Sequence, residues 1–228
     1  MPYPLKPSGS SQEVAQFLRQ HQEISRVVKE QQRLLFAIDA TASRQPTWDM
    51  ACTLTHSLLQ VTDGMPQLAL KLCFYRGFDE FKQTDWLTDA TLLHRSMSKV
   101  TCLGGQTQIR RTLRYALKQH ANAPIKGLLF IGDAIEEPAH ELIELAGQCA
   151  LRKLPLFLFQ EGVNSQVSDV FLQMAKLSQG AYAQFDLNAP NKLRDLLAAI
   201  AAFASGGYSA LERRSDSASK LLLQQMNR

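Results

Sequence analysis

Hydrophobic positions along the chain fall into two patterns, short apolar runs and longer stretches with helical spacing. The short runs predict strands at residues 34–38, 67–76, 126–132, 154–160 and 181–185, and a turn with an edge strand within 77–86. The longer stretches predict helices at 11–31, 47–61, 89–100, 108–120, 138–153, 168–179, 191–204 and 208–226. Because strands alternate with helices, we predict an α/β fold with a doubly wound, mostly parallel sheet flanked by helices.

Two of the predicted helices, at 11–31 and 208–226, lie outside the central domain that contains the predicted sheet. Residues 1–10 are rich in proline and serine, and we predict that they are disordered. We therefore divide the chain into an N-terminal tip and helix, a central domain and a C-terminal helix, at residues 1–31, 32–205 and 206–228. The apolar faces of the two outer helices either dock a partner or second subunit or pack on their own domain.

The composition limits the classes of partner and compartment. With 45% hydrophobic and 20% charged residues among 228, the chain is typical of globular proteins. Its net charge of +4 is slight and no basic block occurs, so nothing favours nucleic acid. Residues 1–7 lack the apolar centre of a signal peptide, and no apolar run is long enough for a bilayer. We predict a cytoplasmic protein that binds neither nucleic acid nor a membrane, and its oligomeric state is left open.

Several common α/β enzyme motifs are absent from the sequence. No GxxxxGK[ST] phosphate loop, no GxGxxG after a strand and no GxSxG nucleophile elbow occurs. His140-Glu141 begins like a zinc-protease helix, but position 144 is Glu where a second histidine is needed. The four cysteines are scattered singly rather than in metal-binding pairs. These absences disfavour the corresponding hydrolases, kinases, dehydrogenases and zinc sites.

A group of oxygen side chains follows the predicted strand at 34–38. Asp39, Thr41 and Ser43 stand at alternate positions between this strand and the next helix. Open α/β sheets place their ligands at the carboxyl ends of strands. One carboxylate and two hydroxyls are hard oxygen ligands that suit Mg²⁺ or Mn²⁺ better than zinc or copper. The alternative is a polar turn in which Thr41 or Ser43 caps the helix.

Two further loops offer oxygen ligands at equivalent places. Thr107 follows Gly104-Gly105 before a predicted helix, and Asp133 ends the predicted strand at 126–132. With the Asp39-Ala40-Thr41-Ala42-Ser43 segment, this order resembles the von Willebrand factor A (VWA) domain and its metal-ion-dependent adhesion site. That family has the pattern DxSxS, a later threonine and an aspartate that closes a later strand. The resemblance covers roughly residues 32–205.

The resemblance implies a metal site formed by Asp39, Thr41, Ser43, Thr107 and Asp133, with Mg²⁺ or Mn²⁺ as the ion. It implies direct contacts from Thr41 and Ser43, a contact from Thr107 in some states, and contacts partly through water from the two aspartates. The sequence departs from the family at Thr41, where serine is commoner, and at Ala134, where glycine often stands. The alternative is a metal-free domain of the same fold.

The resemblance also implies a function in protein–protein interaction. Two carboxylates balance the charge of a divalent ion, but hydroxyls and water are weak donors, so the ion can accept an Asp or Glu of a partner. Bacterial cytosolic members often act as adaptors for AAA+ ATPases or other assembly machinery. We therefore expect an adaptor rather than an enzyme. The alternatives are a metal-dependent phosphoester hydrolase, with Glu136, Glu137 or His140 as its base, and a structural subunit with a vestigial metal site.

Two electrostatic expectations follow from these residues. Without metal, Asp39 and Asp133 should repel each other and raise the pKa of one of them. Glu136 and Glu137 either repel unsuitable acidic partners or form the solvated start of the helix at 138–153, where acidic residues are favoured.

Overall fold

The computed structural model describes residues 31–60, 68–186 and 190–226, and the predicted tip and helix at 1–30 lie outside these ranges. The described residues form six strands: β1 Gln32–Asp39, β2 Leu68–Arg76, β3 Glu80–Gln83, β4 Leu128–Gly132, β5 Leu156–Glu161 and β6 Ala181–Phe185. They also form seven α-helices: α1 Gln45–Gln60, α2 Ala90–Met97, α3 Ile109–Asn122, α4 Ala139–Leu151, α5 Ser165–Leu177, α6 Pro190–Glu212 and α7 Ser217–Met226.

The six strands form one sheet in the order β3-β2-β1-β4-β5-β6. All neighbours are parallel except β3, which pairs antiparallel with β2. The chain moves outward from β1 to β3 and then returns to β4 on the other side of β1. The predicted doubly wound, mostly parallel sheet is confirmed. Its strand order reverses between β1 and β4, and this is the position where open α/β sheets form a ligand crevice.

The two faces of the sheet are covered by separate apolar layers. Along β1, Leu34, Phe36 and Ile38 belong to one core cluster together with residues of α1, α6 and α7. Leu35 and Ala37 belong to the other cluster, with residues of α3, α4 and α5. Because successive side chains of a strand point to opposite faces, a strand buried on both faces is apolar at every position. This burial fixes the carboxyl ends of β1 and β4 side by side.

The C-terminal helical region differs from the prediction of one helix over 208–226. α6 continues to Glu212 through a kink at Gly207, where φ is +66°, and α7 begins only at Ser217. The amide of Ser219 donates to Asp216 at 2.9 Å, so Asp216 caps α7. The single predicted helix is wrong because residues 213–216 form a turn between two helices.

α7 packs on the sheet domain in this structure. Its Leu222 and Met226 are buried in the same cluster as β1. Its Gln225 side chain donates to the carbonyl of Tyr182 at 2.9 Å and accepts from the amide of Tyr182 at 2.8 Å, along the outer edge of β6. The division of the chain at residues 31 and 205 stays a prediction. Within the described ranges, none of the helices has the length and apolar character that a membrane span requires.

Candidate metal centre

Asp39 closes β1 and is buried, with both carboxylate oxygens held by neighbouring groups. The amide of Thr41 donates to Oδ1 at 2.7 Å, and the hydroxyl of Tyr75 donates to Oδ2 at 3.0 Å. Tyr75 lies on β2 directly opposite Asp39 in the strand register. Its role was not predicted, because the register between β1 and β2 is not visible in the sequence. These two hydrogen bonds fix the orientation of the Asp39 carboxylate.

The loop after β1 brings Ser43 to the loop after β4. Thr41 precedes a 3₁₀ turn at Ala42–Arg44 and makes no side-chain cap hydrogen bond to it. The hydroxyl of Ser43 donates to Oδ2 of Asp133 at 3.3 Å. Thr41 therefore makes no side-chain cap to this turn, and Ser43 joins the two loops that flank the switch point.

Asp133 has one carboxylate oxygen without a hydrogen bond. Its Oδ1 atom is buried and has no hydrogen-bond partner among the described residues. The nearest cationic atom is Nε of Arg44, at 3.8 Å, which is within ion-pair distance but beyond hydrogen-bond distance. Buried polar atoms in native proteins are nearly always paired. The unpaired oxygen therefore makes the loop after β4 a candidate ligand site.

Arg44 is a buried cation beside the predicted ligands, and the sequence analysis did not identify it. Its side chain is 1% exposed and forms an ion pair with Glu161 at the end of β5. The hydroxyl of Thr47, in the first turn of α1, also donates to Glu161. Burial lowers the pKa of Arg44, although the charges of Asp133 and Asp39 oppose this change. Arg44 follows Ser43 in a polar loop, so only the fold, which supplies Glu161, shows that it is buried.

Thr107 lines a cleft together with the other predicted ligands, but its hydroxyl is hydrogen-bonded to the loop after β4. A cleft of about 220 Å³ is lined by Thr41, Ser43, Thr107 and Asp133. The Thr107 hydroxyl donates to Oε2 of Glu137 at 2.6 Å and accepts from the amide of Glu136 at 3.0 Å. The described structure thus brings Thr41, Ser43 and Thr107 to one cleft with Asp133, while the Thr107 hydroxyl is held by the loop after β4.

Glu136 and Glu137 stabilise the start of α3 rather than the start of α4. The amide of Thr107 donates to Glu136 at 2.7 Å, and the amide of Arg110 donates to Glu137 at 2.9 Å. Carboxylates are favoured at a helix N-terminus because the first amides have no partner within the helix. The expected role at the helix beginning near 138 is corrected accordingly.

Two glycines hold the loop that carries Thr107 against the turn after β2. A Cβ atom added to Gly105 would lie 1.9 Å from the carbonyl oxygen of Gly77. The amide of Gln106 donates to the same oxygen at 3.1 Å. Any side chain at residue 105 would separate the two loops. The close contact therefore explains why glycine stands before Thr107.

No protein-family model matches the sequence, and no curated protein matches it. Among solved structures, the model is similar to a von Willebrand factor type A protein from Catenulispora acidiphila, with TM-score 0.59 and 14% identity over 76% of this chain and 43% of that chain. It is also similar to the VWA domain of SpRpn10, with TM-score 0.57 and 12% identity over 72% of this chain and 95% of that chain. The chain has the VWA fold.

A third similar structure holds a metal ion in its own adhesion site. It is proximal thread matrix protein 1 of the mussel byssus, with zinc in its metal-ion-dependent adhesion site (MIDAS) motif. The TM-score is 0.60, and the identity is 10% over 76% of this chain and 46% of that chain. The chain spans less than half the length of this protein and of the Catenulispora protein. Identities this low establish the VWA fold alone.

The electrostatics of this VWA-fold site are dominated by burial. Burial is the main cause that raises the pKa of Asp39. The hydrogen bonds from Thr41 and the charge of Arg44 oppose this rise. The charge of Asp133 also raises this pKa, but its contribution is the smallest. The expected mutual repulsion of Asp39 and Asp133 is therefore a minor cause. Burial also raises the pKa of Tyr75 well above its ordinary value, so its hydroxyl stays neutral and donates to Asp39.

The residues present fit a small divalent ion with oxygen ligands. Among the described residues, no group of three or more His, Cys, Asp or Glu side chains could hold a metal. The predicted set instead combines two carboxylates with hydroxyls, which suits Mg²⁺ or Mn²⁺. The unpaired Oδ1 atom of Asp133 supplies a free ligand atom beside the cleft.

Proposed function

We propose that this chain is a protein-interaction module that binds an acidic residue of a partner through Mg²⁺ or Mn²⁺. The observation that carries the proposal is the unpaired, buried Oδ1 atom of Asp133 beside the cleft that Ser43, Thr41 and Thr107 also line. The ion would be held by the five predicted residues, Asp39, Thr41, Ser43, Thr107 and Asp133. When bound, it would supply a Lewis acid that accepts a carboxylate oxygen of the partner.

The chain's own residues orient this site before any ligand arrives. Tyr75 and the amide of Thr41 fix the Asp39 carboxylate, so little reorganisation is needed when its charge is used. The Ser43–Asp133 hydrogen bond holds the loops after β1 and β4 together. Oriented groups on rigid strand ends lower the entropic cost of binding.

The hydrolase alternative is not favoured by any observation on the site. The candidate bases Glu136 and Glu137 accept hydrogen bonds from the amides at the start of α3. Their carboxylates therefore have a structural role. The third candidate, His140, is exposed on the first turn of α4.

We further propose that the partner belongs to an AAA+ ATPase or another assembly machine, for which the chain acts as an adaptor in the cytoplasm. The resemblance of the Asp39–Ser43, Thr107 and Asp133 pattern to bacterial cytosolic VWA proteins supports this proposal. The VWA fold agrees with that resemblance. The chain's modest net charge and its lack of a basic block agree with a protein partner.

Affinity capture tests the proposal. The full chain, its Asp39→Asn variant and the matched control Asp169→Asn would be used as baits in native cell lysate, with Mg²⁺ or with EDTA. Asp169 is exposed on α5, so its substitution repeats the chemical change away from the site. We expect at least one protein to be retained by wild type and by Asp169→Asn in Mg²⁺, but not by Asp39→Asn and not in EDTA. If an AAA+ ATPase is among the proteins retained in this way, the result supports the adaptor role. Retention of the same proteins in every condition would reject the metal-dependent contact.

A further inference from the structure

We propose that Arg44 is a built-in counter-cation of the metal centre, which neutralises the site without metal and lowers its affinity for divalent ions. This inference rests on the proposed function, because it concerns the metal that the site binds. It makes Arg44 a competitor of the metal ion for the charge of Asp133, and it makes Glu161 the residue that holds Arg44 back from Asp133.

The position of Arg44 carries the first step of the inference. Its side chain is 1% exposed, and its Nε atom lies 3.8 Å from Oδ1 of Asp133. The Nε and Nη2 atoms have no hydrogen-bond partner among the described residues, and neither does Oδ1 of Asp133. A guanidinium keeps its charge in proteins, so a permanent positive charge faces the free ligand atom of the site. Arg44 and a metal ion therefore compete for the charge of the same carboxylate.

Glu161 keeps this competition incomplete. Its carboxylate forms an ion pair with Arg44 and also accepts from the hydroxyl of Thr47. This contact holds the guanidinium on the β5 side of the site and leaves the Asp133 contact at 3.8 Å, without a hydrogen bond. A free guanidinium would form a stronger, charge-assisted bond to Asp133. Glu161 therefore keeps Oδ1 of Asp133 available to a ligand.

The two residues have opposite effects on metal affinity, and this sign difference separates the proposal from a purely structural ion pair. Removal of the Arg44 charge removes a repulsion between two cations, so the affinity for Mn²⁺ should rise. Removal of the Glu161 charge alone frees Arg44 to bind Asp133, so the affinity should fall. If the ion pair were purely structural, either substitution would lower the folding stability. The two substitutions would then not change the metal affinity in opposite directions.

Calorimetric titration with Mn²⁺ tests the first prediction on the full chain. The double variant Arg44→Met/Glu161→Gln avoids a buried unpaired charge, and we expect it to bind Mn²⁺ about tenfold more tightly than wild type. Glu161→Gln alone should bind at least about fivefold more weakly. Arg44→Lys, which retains the charge, should stay close to wild type. Equal affinity in all four proteins, or a loss in both the single and the double variant, would overturn the proposal.

A thermal-unfolding cycle in EDTA tests the same inference without metal. Asp133→Asn should lower the melting temperature of wild type, because it removes the partner of a buried charge. The same substitution in the Arg44→Met/Glu161→Gln background should leave the melting temperature unchanged or raise it. Equal shifts in both backgrounds would show that Arg44 does not neutralise Asp133. If Mn²⁺ binds to none of the proteins, the proposed function fails, and this cycle alone decides the role of Arg44.

Discussion

Two polar clusters occupy the carboxyl half of the sheet, and they are built differently. The first lies at the ends of β5 and β6 around Gln160, which is fully buried. Its Oε1 atom accepts from the hydroxyls of Ser168 at 2.9 Å and Tyr182 at 2.7 Å, and its Nε2 atom donates to the carbonyl of Asn164 at 2.8 Å. All members are neutral. This Gln160 cluster is closed, since its central amide uses its donor and acceptor atoms within the protein.

The second cluster, at the switch point, contains charged groups that are not fully paired. Asp39, Arg44, Asp133 and Glu161 meet there, and Oδ1 of Asp133 with Nε and Nη2 of Arg44 have no hydrogen-bond partner among the described residues. A buried unpaired polar group costs about 1–3 kcal/mol of folding free energy. The comparison teaches that the central amide of the Gln160 cluster is paired within the protein, whereas the switch-point cluster leaves three buried polar atoms unpaired among the described residues.

The largest expected difference between the clusters is the response to metal. With Mg²⁺ at about a hundredfold its dissociation constant, wild type should gain about 2.7 kcal/mol in the free energy of unfolding. Asp39→Asn should abolish this gain, because it removes one of the two carboxylate charges. Denaturant unfolding with and without Mg²⁺ measures both values. The exposed control Asp169→Asn should keep the full gain, and a gain retained by Asp39→Asn would show that the ion binds elsewhere.

A substitution in the Gln160 cluster should lower the stability but leave the stabilisation by Mg²⁺ intact. Gln160→Leu should lower the free energy of unfolding by about 2 kcal/mol, because it removes the acceptor of two partly buried hydroxyls and the donor to Asn164. The stabilisation by Mg²⁺ should remain unchanged in the same denaturant experiment. If Gln160→Leu also removes the response to Mg²⁺, the two clusters are not independent.

The pH dependence of the metal-free protein should distinguish the charged cluster from the neutral one. Burial raises the pKa of Asp39 above its ordinary value of 3.8, so the folded state binds a proton that the unfolded chain has already released. As the pH rises from the ordinary to the raised pKa, wild type should lose stability relative to Asp39→Asn. Unfolding in EDTA across this pH range measures the difference. A constant difference would mean that Asp39 has no raised pKa.

The smallest effect is expected at the exposed edge of the charged cluster. Ser43→Ala removes one hydrogen bond of 3.3 Å on an exposed residue, so the free energy of unfolding should change by less than about 0.5 kcal/mol. The affinity for Mg²⁺ should still fall several-fold, because a hydroxyl ligand is lost. Thr53→Ala, exposed on α1, is the matched hydroxyl deletion. Equal Mg²⁺ affinity in both variants would exclude Ser43 from the metal site.

The sequence was sufficient to predict the α/β sheet and the proximity of the strand ends that carry Asp39 and Asp133. Each follows an apolar run, and burial on both faces of a strand leaves a strong signal in local composition. The alternation of strands with helices then places their carboxyl ends together. The proximity of Ser43 to Asp133, at 3.3 Å, agrees with that prediction. The five metal ligands themselves stay a prediction.

Other parts of the site depend on contacts between distant residues, which a single sequence does not show. Arg44 looks like a surface residue of a loop until β5 places Glu161 beside it, 117 positions further along. The hydrogen bond from Tyr75 to Asp39 depends on the register between β1 and β2. Similarly, Glu136 and Glu137 precede α4 in the chain but bond to α3, because the two loops meet in space. Tertiary contacts therefore determine what each of these side chains does.

The contact between Gln225 and Tyr182 has a consequence for assembly. β6 is an outer strand of the sheet, and an outer strand exposes amide and carbonyl groups that another chain can pair with. The Gln225 side chain occupies both backbone groups of Tyr182, as a neighbouring strand would. α7 thereby shields this end of the sheet from intermolecular strand pairing and aggregation. At the opposite end, the short antiparallel β3 limits the edge to four residues.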